Sequence, residues 1–332
     1  MMQTTSLGRN GPPVSVLGLG CMGMSSGVYG PADDSESAAT LRAALDAGIT
    51  LLDTGDFYGM GHNEMLIAKA LEAVPRERVF ISVKFGAMRD YTGAAVGYDA
   101  RPQAVKNFLA YSLRRLRTDY IDLYRPARLD PSVPIEDTIG AIADMVKAGY
   151  VRHIGLSEVG VETIRRAHAV HPIADLQIEY SLMSRGIERA ILPAVRELGI
   201  GVTAYGVLSR GLLSGRVPRS DAKGDVRTVR MPRFKAGNVE QNLRIVAALG
   251  KIAAEKNATP AQLAIAWVSS RGADIIPVLG ARRREQLQET LGALQCSLTP
   301  ADLARIAAAV PTEQVAGTRY DPAQMAHLDS EG

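Results

Sequence analysis

Eight short, mostly apolar segments recur along the chain, and helix-like segments separate them. The β-like segments span residues 16–20, 49–53, 79–84, 119–124, 151–157, 175–180, 199–205 and 273–280. The segments between them, such as 35–48, 135–149 and 161–170, place apolar residues at the 3.6-residue spacing of an amphipathic helix. Such alternation is typical of parallel βαβ units, and eight units in 332 residues predict a closed (β/α)8 TIM barrel.

The remaining segments fit around this barrel as additions to a single domain spanning residues 1–332. The opening stretch predicts an N-terminal β-hairpin that runs into the first strand, and extra helical segments are expected towards the C-terminus. Two of the helical segments, 238–256 and 259–271, lie between the seventh and eighth strands. A long loop at 209–237 precedes them, and because it follows a strand it belongs to the face of the barrel that carries active sites.

Composition excludes several classes of function. The 38 basic and 35 acidic residues nearly cancel, so nothing calls for nucleic acid or an anionic membrane as partner. Apolar stretches such as 174–183 are interrupted by polar residues and fall short of the ~20 residues that span a bilayer. The N-terminus lacks the apolar core of a signal peptide. Cys21 and Cys296, the two cysteines, allow no disulfide framework or zinc site, and a cytoplasmic protein is expected.

Three polar residues near predicted strand ends suggest proton transfer. Asp53 and Tyr58 lie in LLDTGDFYG (51–59), and Lys84 lies in ISVKFG (81–86). An ammonium group favours the ionised form of a neighbouring phenol, and a carboxylate can hold that ammonium in place. Such a phenol can donate a proton to a carbonyl oxygen, which is the chemistry of carbonyl reduction. The alternative is a plain strand-to-loop turn with a buried ion pair of structural importance only.

Gly18, Gly20 and Gly23 match the G-x-G-x-x-G fingerprint of dinucleotide-binding doubly wound folds, but the context differs. That motif opens a helix directly and has an acidic residue about 20 positions further on. Here Gly23 leads into a loop rich in Gly, Pro and Ser, and Asp53, which ends the next β-like segment, comes 30 positions after Gly23. We interpret these glycines as allowing backbone to approach a ligand at the mouth of the barrel.

The chain resembles the aldo-keto reductase superfamily along essentially its whole length. Matching segments include LGLGCMGMS, LLDTGDFYG, VKFG, LQIEYSL, TAYGVLSRGLLSG, PRF and PVLGARRREQLQET. The resemblance implies a (β/α)8 barrel that binds NADP(H) in extended form without a Rossmann domain and reduces aldehydes or ketones by hydride transfer. It also implies that Tyr58 is the general acid, that Lys84 lowers the pKa of Tyr58, and that Asp53 orients Lys84.

The resemblance also implies a set of cofactor positions. Tyr205 matches the aromatic residue on which the nicotinamide stacks, the loop from Gly206 to Arg210 wraps the pyrophosphate, and Arg282 is a candidate partner for the 2′-phosphate. From its place after a strand, the 209–237 segment is separately expected to cover the cofactor. The alternative for the basic cluster around Arg282 is a solvated helix start. The full cofactor set is Gly20, Cys21, Met22, Asp53, Ser157, Gln177, Tyr205, Gly206, Val207, Leu208, Arg210, Arg233, Gly280, Arg282, Gln286, Glu289 and Thr290.

Two positions depart from the family pattern. Ala127 stands where members commonly have a histidine that hydrogen-bonds the substrate carbonyl, and Glu158 stands where they commonly have asparagine. Loss of a donor aimed at a developing oxyanion can cost roughly 10²–10³ in rate. Arg125, on the same strand face, or His62 could replace the donor.

These observations favour an NADPH-dependent reductase of small or medium carbonyl compounds. Two alternatives stay open: an NADP(H)-binding sensor or regulatory subunit with vestigial activity, and a reductase of activated C=C bonds.

Overall fold

The computed structural model describes residues 2–9, 11–27, 29–218 and 225–331. Eight parallel strands form a closed barrel in chain order, each pairing with the strand before and after it. The barrel strands are β3 (Gly18–Gly20), β4 (Leu51–Gly55), β5 (Phe80–Phe85), β8 (Ile121–Pro126), β9 (Val151–Ser157), β10 (Ile173–Glu179), β11 (Gly201–Tyr205) and β12 (Ile275–Gly280). This confirms the predicted (β/α)8 barrel, and the predicted strand bounds are off by two residues at most.

Two antiparallel hairpins lie outside the barrel. The predicted N-terminal hairpin pairs β1 (Thr4–Ser6) with β2 (Pro13–Ser15), and a second hairpin pairs β6 (Ala87–Arg89) with β7 (Ala95–Tyr98). The second hairpin, which the sequence analysis does not predict, follows the strand that carries Lys84.

Helices surround the barrel. They are α1 (Asp34–Asp46), α2 (His62–Ala70), α3 (Pro102–Leu116), α4 (Ile135–Lys147), α5 (Val161–Val170), α6 (Ile191–Leu198), α7 (Arg227–Arg230), α8 (Asn238–Glu255), α9 (Pro260–Ser269), α10 (Arg284–Gly292), α11 (Pro300–Ala309) and α12 (Pro322–Met325). Of the helices in the described ranges, none combines the length and the apolar character needed to cross a membrane.

Local signals explain where several of these helices begin. Thr259 caps α9 by accepting a hydrogen bond from the Gln262 N–H, and the Gln262 side chain accepts from the Thr259 N–H in return. Pro260 occupies the first turn, where its missing N–H costs nothing. Asp33 caps α1 in the same way through the Glu36 N–H at 2.9 Å.

The N-terminal hairpin closes the lower end of the barrel. Leu7 and Val14 from the hairpin are fully buried against inward-facing apolar side chains of the strands, namely Leu51, Phe80, Leu123, Ile276 and Val278. Because parallel strands end on the same rim, the polar residues further along each strand face the opposite end, the mouth. The barrel interior is therefore apolar at the hairpin end and polar nearer the mouth.

The 209–237 segment is less irregular than expected. It contains a 3-10 helix at Ser209–Ser214, helix α7 and a second 3-10 turn at Pro232–Phe234. The middle of the predicted loop, residues 219–224, lies outside the described residues.

Candidate active site

Asp53 and Lys84 form a buried ion pair across adjacent strands. The register pairs Asp53 with Ser82 and Gly55 with Lys84, so both charged side chains are on the inner face of the barrel and Lys84 lies two residues nearer the mouth. Lys84 Nζ donates to Asp53 Oδ2 at 2.5 Å, and Ser82 Oγ and Gln177 Nε2 donate to Asp53 Oδ1 at 3.1 and 2.9 Å. Three donors therefore fix the carboxylate and, through it, the ammonium group.

Tyr58 lies directly above this pair, in the turn that follows β4. The turn places Gly59 and Met60 at φ angles of 56° and 55°, a left-handed backbone that suits glycine better than methionine. Lys84 Nζ is 5.2 Å from the centre of the Tyr58 ring, and the Phe57 ring packs edge-on against Tyr58 at 4.8 Å. The structure thus brings together the three residues to which the sequence assigns proton transfer.

The pKa of the Tyr58 hydroxyl lies well above its usual value. Burial is the main cause, the negative charge of Asp53 adds to it, and the Arg128 guanidinium acts in the opposite direction. Burial also lowers the pKa of the Lys84 ammonium group, although the Asp53 carboxylate counteracts this. The net shift at Tyr58 is therefore opposite to the lowering by Lys84 that the resemblance implies. The phenol stays protonated at neutral pH, as a proton donor must.

Neither of the two side chains considered as substitutes for the missing histidine faces the mouth. Ala127 is buried, and its N–H donates to the Phe85 carbonyl oxygen. His62 Nδ1 lies 2.9 Å from Ser25 Oγ and its Nε2 lies 3.1 Å from Asp34 Oδ2, so both ring nitrogens are engaged away from Tyr58. Arg125 points into the barrel, where it pairs with Asp175. The expectation that Arg125 or His62 replaces the donor therefore does not fit this geometry.

Three predicted cofactor residues lie side by side on the next strands. Ser157, at the end of β9, is in register with Gln177 of β10, and Tyr205 ends β11 opposite Glu179. Gln177 Nε2 reaches across the barrel to Asp53, so this wall contacts the proton-transfer residues directly.

Glu158 is neutralised by a segment from the far end of the chain. Its carboxylate accepts from Arg319 Nη2 at 2.6 Å, from Ser330 Oγ at 2.8 Å and from Tyr205 Oη at 2.7 Å. Burial opposes ionisation of Glu158, but the bonds from Arg319 outweigh it, and the pKa of Glu158 falls to about 2. Tyr320 Oη in turn lies 2.8 Å from Tyr205 Oη. The negative charge of Glu158 is therefore balanced by Arg319 within the protein.

The loop after Tyr205 bends through several left-handed residues. Gly206 has a φ of 66°, and Ser209, Arg210 and Gly211 follow with φ angles of 46°, 56° and 94°. Val207 and Leu208 lie between Gly206 and Ser209 in the same turn. Successive N–H groups in such a turn can point into one concave surface, which suits an anion.

Five residues predicted at the adenosine end cluster where β12 meets α10. Gly280 pairs with Gly20 in the barrel register, so the predicted glycines of the first and last strands are neighbours, and Cys21 and Met22 follow Gly20 in a 3-10 turn. The remaining members are Arg282, whose Nη1 donates to the carbonyl oxygens of Tyr29 and Pro31, together with Gln286, Glu289 and the buried Thr290.

Arg233 forms four hydrogen bonds to neighbouring loops and lies 3.5 Å from Glu179 Oε1. Its Nη1 donates to Ser184 Oγ and Ser209 Oγ at 3.0 Å each, its Nη2 donates to the Met183 carbonyl oxygen at 2.7 Å, and its Nε donates to that of Gly317 at 3.4 Å. Arg233 therefore connects loops at the mouth of the barrel, and we do not propose it as a phosphate contact.

The sequence analysis misses two groups of residues at the site. Arg319 and Tyr320 come from a segment that follows the last helix of the barrel, and no spacing in the sequence connects them to Glu158. Asp175 and Ser82 surround Arg125 inside the barrel. The position of Asp175 in the β-like segment 175–180 is the one available signal, because a charged residue there must be either exposed or paired.

Comparisons with known proteins agree with this geometry. The aldo/keto reductase family model matches residues 16–311. A curated relative, probable aldo-keto reductase 1 from Glycine max, is 42% identical over 320 residues, which cover 96% of this chain and 92% of the relative.

Two solved structures are similar to this chain over most of its length. The glycerol dehydrogenase AKR11B4 from Gluconobacter oxydans has a TM-score of 0.81 at 30% identity, covering 93% of this chain and 96% of its own. Aldo-keto reductase AKR11C1 from Bacillus halodurans, in its holo form, has a TM-score of 0.78 at 26% identity, covering 94% and 97%.

Proposed function

The chain belongs to the aldo/keto reductase family, whose members are oxidoreductases of carbonyl compounds, and we propose that it is an NADPH-dependent reductase with Tyr58 as proton donor. The substrates in this proposal are small or medium aldehydes and ketones. One observation carries it: the buried Asp53–Lys84 pair lies directly beneath the Tyr58 ring at the open end of the barrel.

The chain's own residues supply the proton. As negative charge develops on the carbonyl oxygen, the Tyr58 hydroxyl donates its proton and Lys84 stabilises the resulting phenolate by its positive charge. Asp53, held by Ser82 and Gln177, keeps the ammonium group beneath the ring.

The cofactor in this proposal is NADP(H), which when bound supplies the hydride. Two observations favour a dinucleotide phosphate. The turn at 206–211 has the left-handed backbone in which N–H groups can face an anion, and the guanidinium groups of Arg210 and Arg282 form no ion pair within the described ranges. Gly280 is exposed at the rim, and a Cβ there would meet only the Gly20 carbonyl oxygen, at 4.0 Å, so backbone can approach a ligand closely. We assign the pyrophosphate to residues 206–210, the carboxamide to Ser157 and Gln177, and the adenosine end to Arg282, Gln286, Glu289 and Thr290.

The test is turnover of a panel of aldehydes, quinones and enones with NADPH by the wild-type protein and by Tyr58→Phe and Lys84→Met. We expect Tyr58→Phe to lose about 10²–10⁴ in kcat with aldehydes and to keep its affinity for NADPH, because only the transferred proton is lost. Lys84→Met should be nearly as damaging. His62→Gln serves as a control, since His62 is engaged with Ser25 and Asp34 away from the ring.

The alternatives give different results in the same panel. A sensor binds NADPH tightly and turns over no member of the panel. A C=C reductase acts on enones and retains that activity in Tyr58→Phe. Retention of more than about a tenth of kcat for aldehydes by Tyr58→Phe contradicts the proposed role, because acid catalysis is usually worth ~10² or more.

A further inference from the structure

Arg125 lies inside the barrel, beneath the mouth. Its Nη1 forms an ion pair with Asp175 Oδ2, and both side chains are fully buried, with 0% exposure. Gly155 borders the guanidinium group: a Cβ there would lie 2.7 Å from Leu123 Cδ2 and 3.4 Å from Arg125 Cζ. A guanidinium group and a carboxylate therefore share the polar layer with the Asp53–Lys84 pair.

One hydrogen-bond route connects Arg125 directly to the proton-donor residues. Arg125 Nη2 donates to Ser82 Oγ at 2.7 Å, and Ser82 Oγ donates to Asp53 Oδ1 at 3.1 Å. The second oxygen of Asp53 holds Lys84. Because Ser82 accepts from an arginine that cannot lose its proton, its own hydrogen is directed towards Asp53.

A second route runs through the opposite side of the layer. Thr203 Oγ1 donates to Asp175 Oδ2 at 2.8 Å and accepts from Gln177 Nε2 at 3.3 Å. Gln177 Nε2 also donates to Asp53 Oδ1 at 2.9 Å. The Arg125–Asp175 pair thus orients both side chains that donate to Oδ1 of Asp53.

Stability alone does not explain this pair. Arg125 Nε and Asp175 Oδ1 are buried without a hydrogen-bond partner in the described structure, and each such group costs roughly 1–3 kcal/mol. Replacing a buried ion pair by apolar residues of similar volume is often neutral or stabilising. A purely structural core at this position would be better made of Leu and Met.

We propose that Arg125 and Asp175 form a positioning pair for the proton donor: they fix Ser82 and Gln177 on Asp53, and Arg125 places a permanent positive charge behind the Asp53–Lys84 pair. The inference rests on the proposed function, because it assigns these residues a role in Tyr58-dependent reduction. In this role the Arg125–Asp175 pair acts on the proton donor through Asp53 and Lys84 and does not touch the substrate.

The charges around Lys84 determine in which direction its pKa should move when the charge of Arg125 is removed. The titratable and charged groups that face Lys84 are Asp53, Cys21, Arg125 and Tyr58. Burial is the main cause that lowers the pKa of Lys84, Asp53 raises it, and Arg125 lowers it further. Removal of the Arg125 charge should therefore raise the pKa of Lys84.

The test uses the full-length double variant Arg125→Met/Asp175→Leu, which keeps the volume and leaves no unpaired charge. We expect it to fold, to bind NADPH within twofold of wild type, and to lose at least tenfold in kcat for an aldehyde that wild type reduces. NMR of ¹³C-labelled lysine is applied to the single variant Arg125→Met, because the double variant removes two opposite charges whose effects on Lys84 offset each other. The Lys84 signal is assigned by its absence in Lys84→Met, and its titration midpoint should lie at least 0.5 pH unit above that of wild type. Arg125→Lys, which restores a charge, should move the midpoint back towards wild type.

Ser82→Ala is the second variant, because it leaves the ion pair intact and cuts the link to Asp53. We expect at least a threefold loss of kcat with KM unchanged. A folded double variant with wild-type kcat overturns the inference, and so does an unmoved Lys84 midpoint in Arg125→Met. An unfolded double variant together with a fully active Ser82→Ala overturns it as well. Wild type and Tyr58→Phe are measured alongside: equal rates for these two overturn the proposed function itself, whereas Tyr58-dependent turnover with unaffected Arg125 and Ser82 variants overturns only the inference.

Discussion

The two walls of the barrel mouth neutralise buried charge in different ways. On the wall formed by β4, β5 and β8, Asp53 pairs with Lys84 from the adjacent strand. On the wall formed by β9, β10 and β11, Glu158 pairs with Arg319, 161 residues away in the chain. We call these the proton-donor wall and the cofactor wall.

The difference shows which parts of the site depend on distant segments. The Asp53–Lys84 ion pair of the proton-donor wall forms as soon as the adjacent strands β4 and β5 pair. The cofactor wall is complete only when the segment 316–331 is docked, because Arg319, Tyr320 and Ser330 supply its partners. Loss of a long-range partner should therefore reduce stability, whereas changes in the proton-donor wall should alter protonation and rate.

The largest expected effect comes from removing the distant partner of Glu158. Arg319→Leu leaves the Glu158 carboxylate buried without its guanidinium, and breaking a buried pair on one side costs about 3–5 kcal/mol. We expect this loss in the free energy of unfolding, measured by urea denaturation at pH 7.5.

Two controls make this measurement specific. Arg165→Leu removes an arginine whose pair with Glu197 is exposed, and such pairs are worth at most about 1 kcal/mol. The double variant Glu158→Gln/Arg319→Met removes both charges and should recover most of the loss. A single Arg319→Leu variant as stable as Arg165→Leu would show that the cofactor wall does not depend on the docked segment.

Beside Tyr58 on the proton-donor wall lies a carboxyl group that forms no ion pair with the part of the chain that the structure describes. Asp56, two residues before Tyr58, is buried and accepts from the Gly86 N–H at 3.4 Å. Burial, aided by the charge of Glu64, raises the pKa of Asp56 to about 7. The folded chain therefore holds a proton that the unfolded chain releases near pH 4, and stability falls as pH rises from about 4 to 7.

Asp56→Asn should remove this pH dependence. We expect the variant to gain about 2–4 kcal/mol over wild type between pH 5 and pH 8, since one pKa unit corresponds to about 1.4 kcal/mol. Urea denaturation at both pH values measures the gain, and the exposed Asp46→Asn is the matched control. Parallel stability curves for wild type and Asp56→Asn would mean that Asp56 is ionised throughout.

The same contrast explains how much of the molecule could be predicted from its sequence. Strand ends such as LLDTGDFYG predict that Asp53, Tyr58 and Lys84 meet, because neighbouring parallel strands end on one rim. The partner of Glu158 could not be predicted, because no sequence periodicity in the segment 316–331 indicates which part of the barrel it contacts. The direction of Arg125 was also beyond prediction, since it depends on Asp175 from another strand.

The basic cluster at the cofactor wall allows a test of cofactor choice. Arg282→Ala should weaken NADPH binding by about 1.5–3 kcal/mol, the scale of a charge-assisted hydrogen bond, and leave NADH binding little changed. Arg284→Ala is the matched control, because Arg284 already pairs with Glu36. Arg282 also holds the 29–31 loop, so equal losses for both cofactors would assign it to that loop and not to the 2′-phosphate.

The smallest expected effect is a gain at the position on the proton-donor wall where the family pattern is broken. Arg125 is turned inward and His62 is held by Ser25 and Asp34, so Tyr58 alone faces the developing oxyanion in our proposal. Ala127→His should raise kcat for unactivated ketones by up to roughly 10²-fold, with little change in KM, because the contact strengthens only as charge develops. Ala127→Phe fills a similar volume without a donor and should give no gain. The opposite result is that Ala127→His lowers the rate with every carbonyl tested while enone reduction persists. In that case the space beside Tyr58 is shaped for a C=C substrate, and the proton-donor wall acts on a different bond from the one proposed.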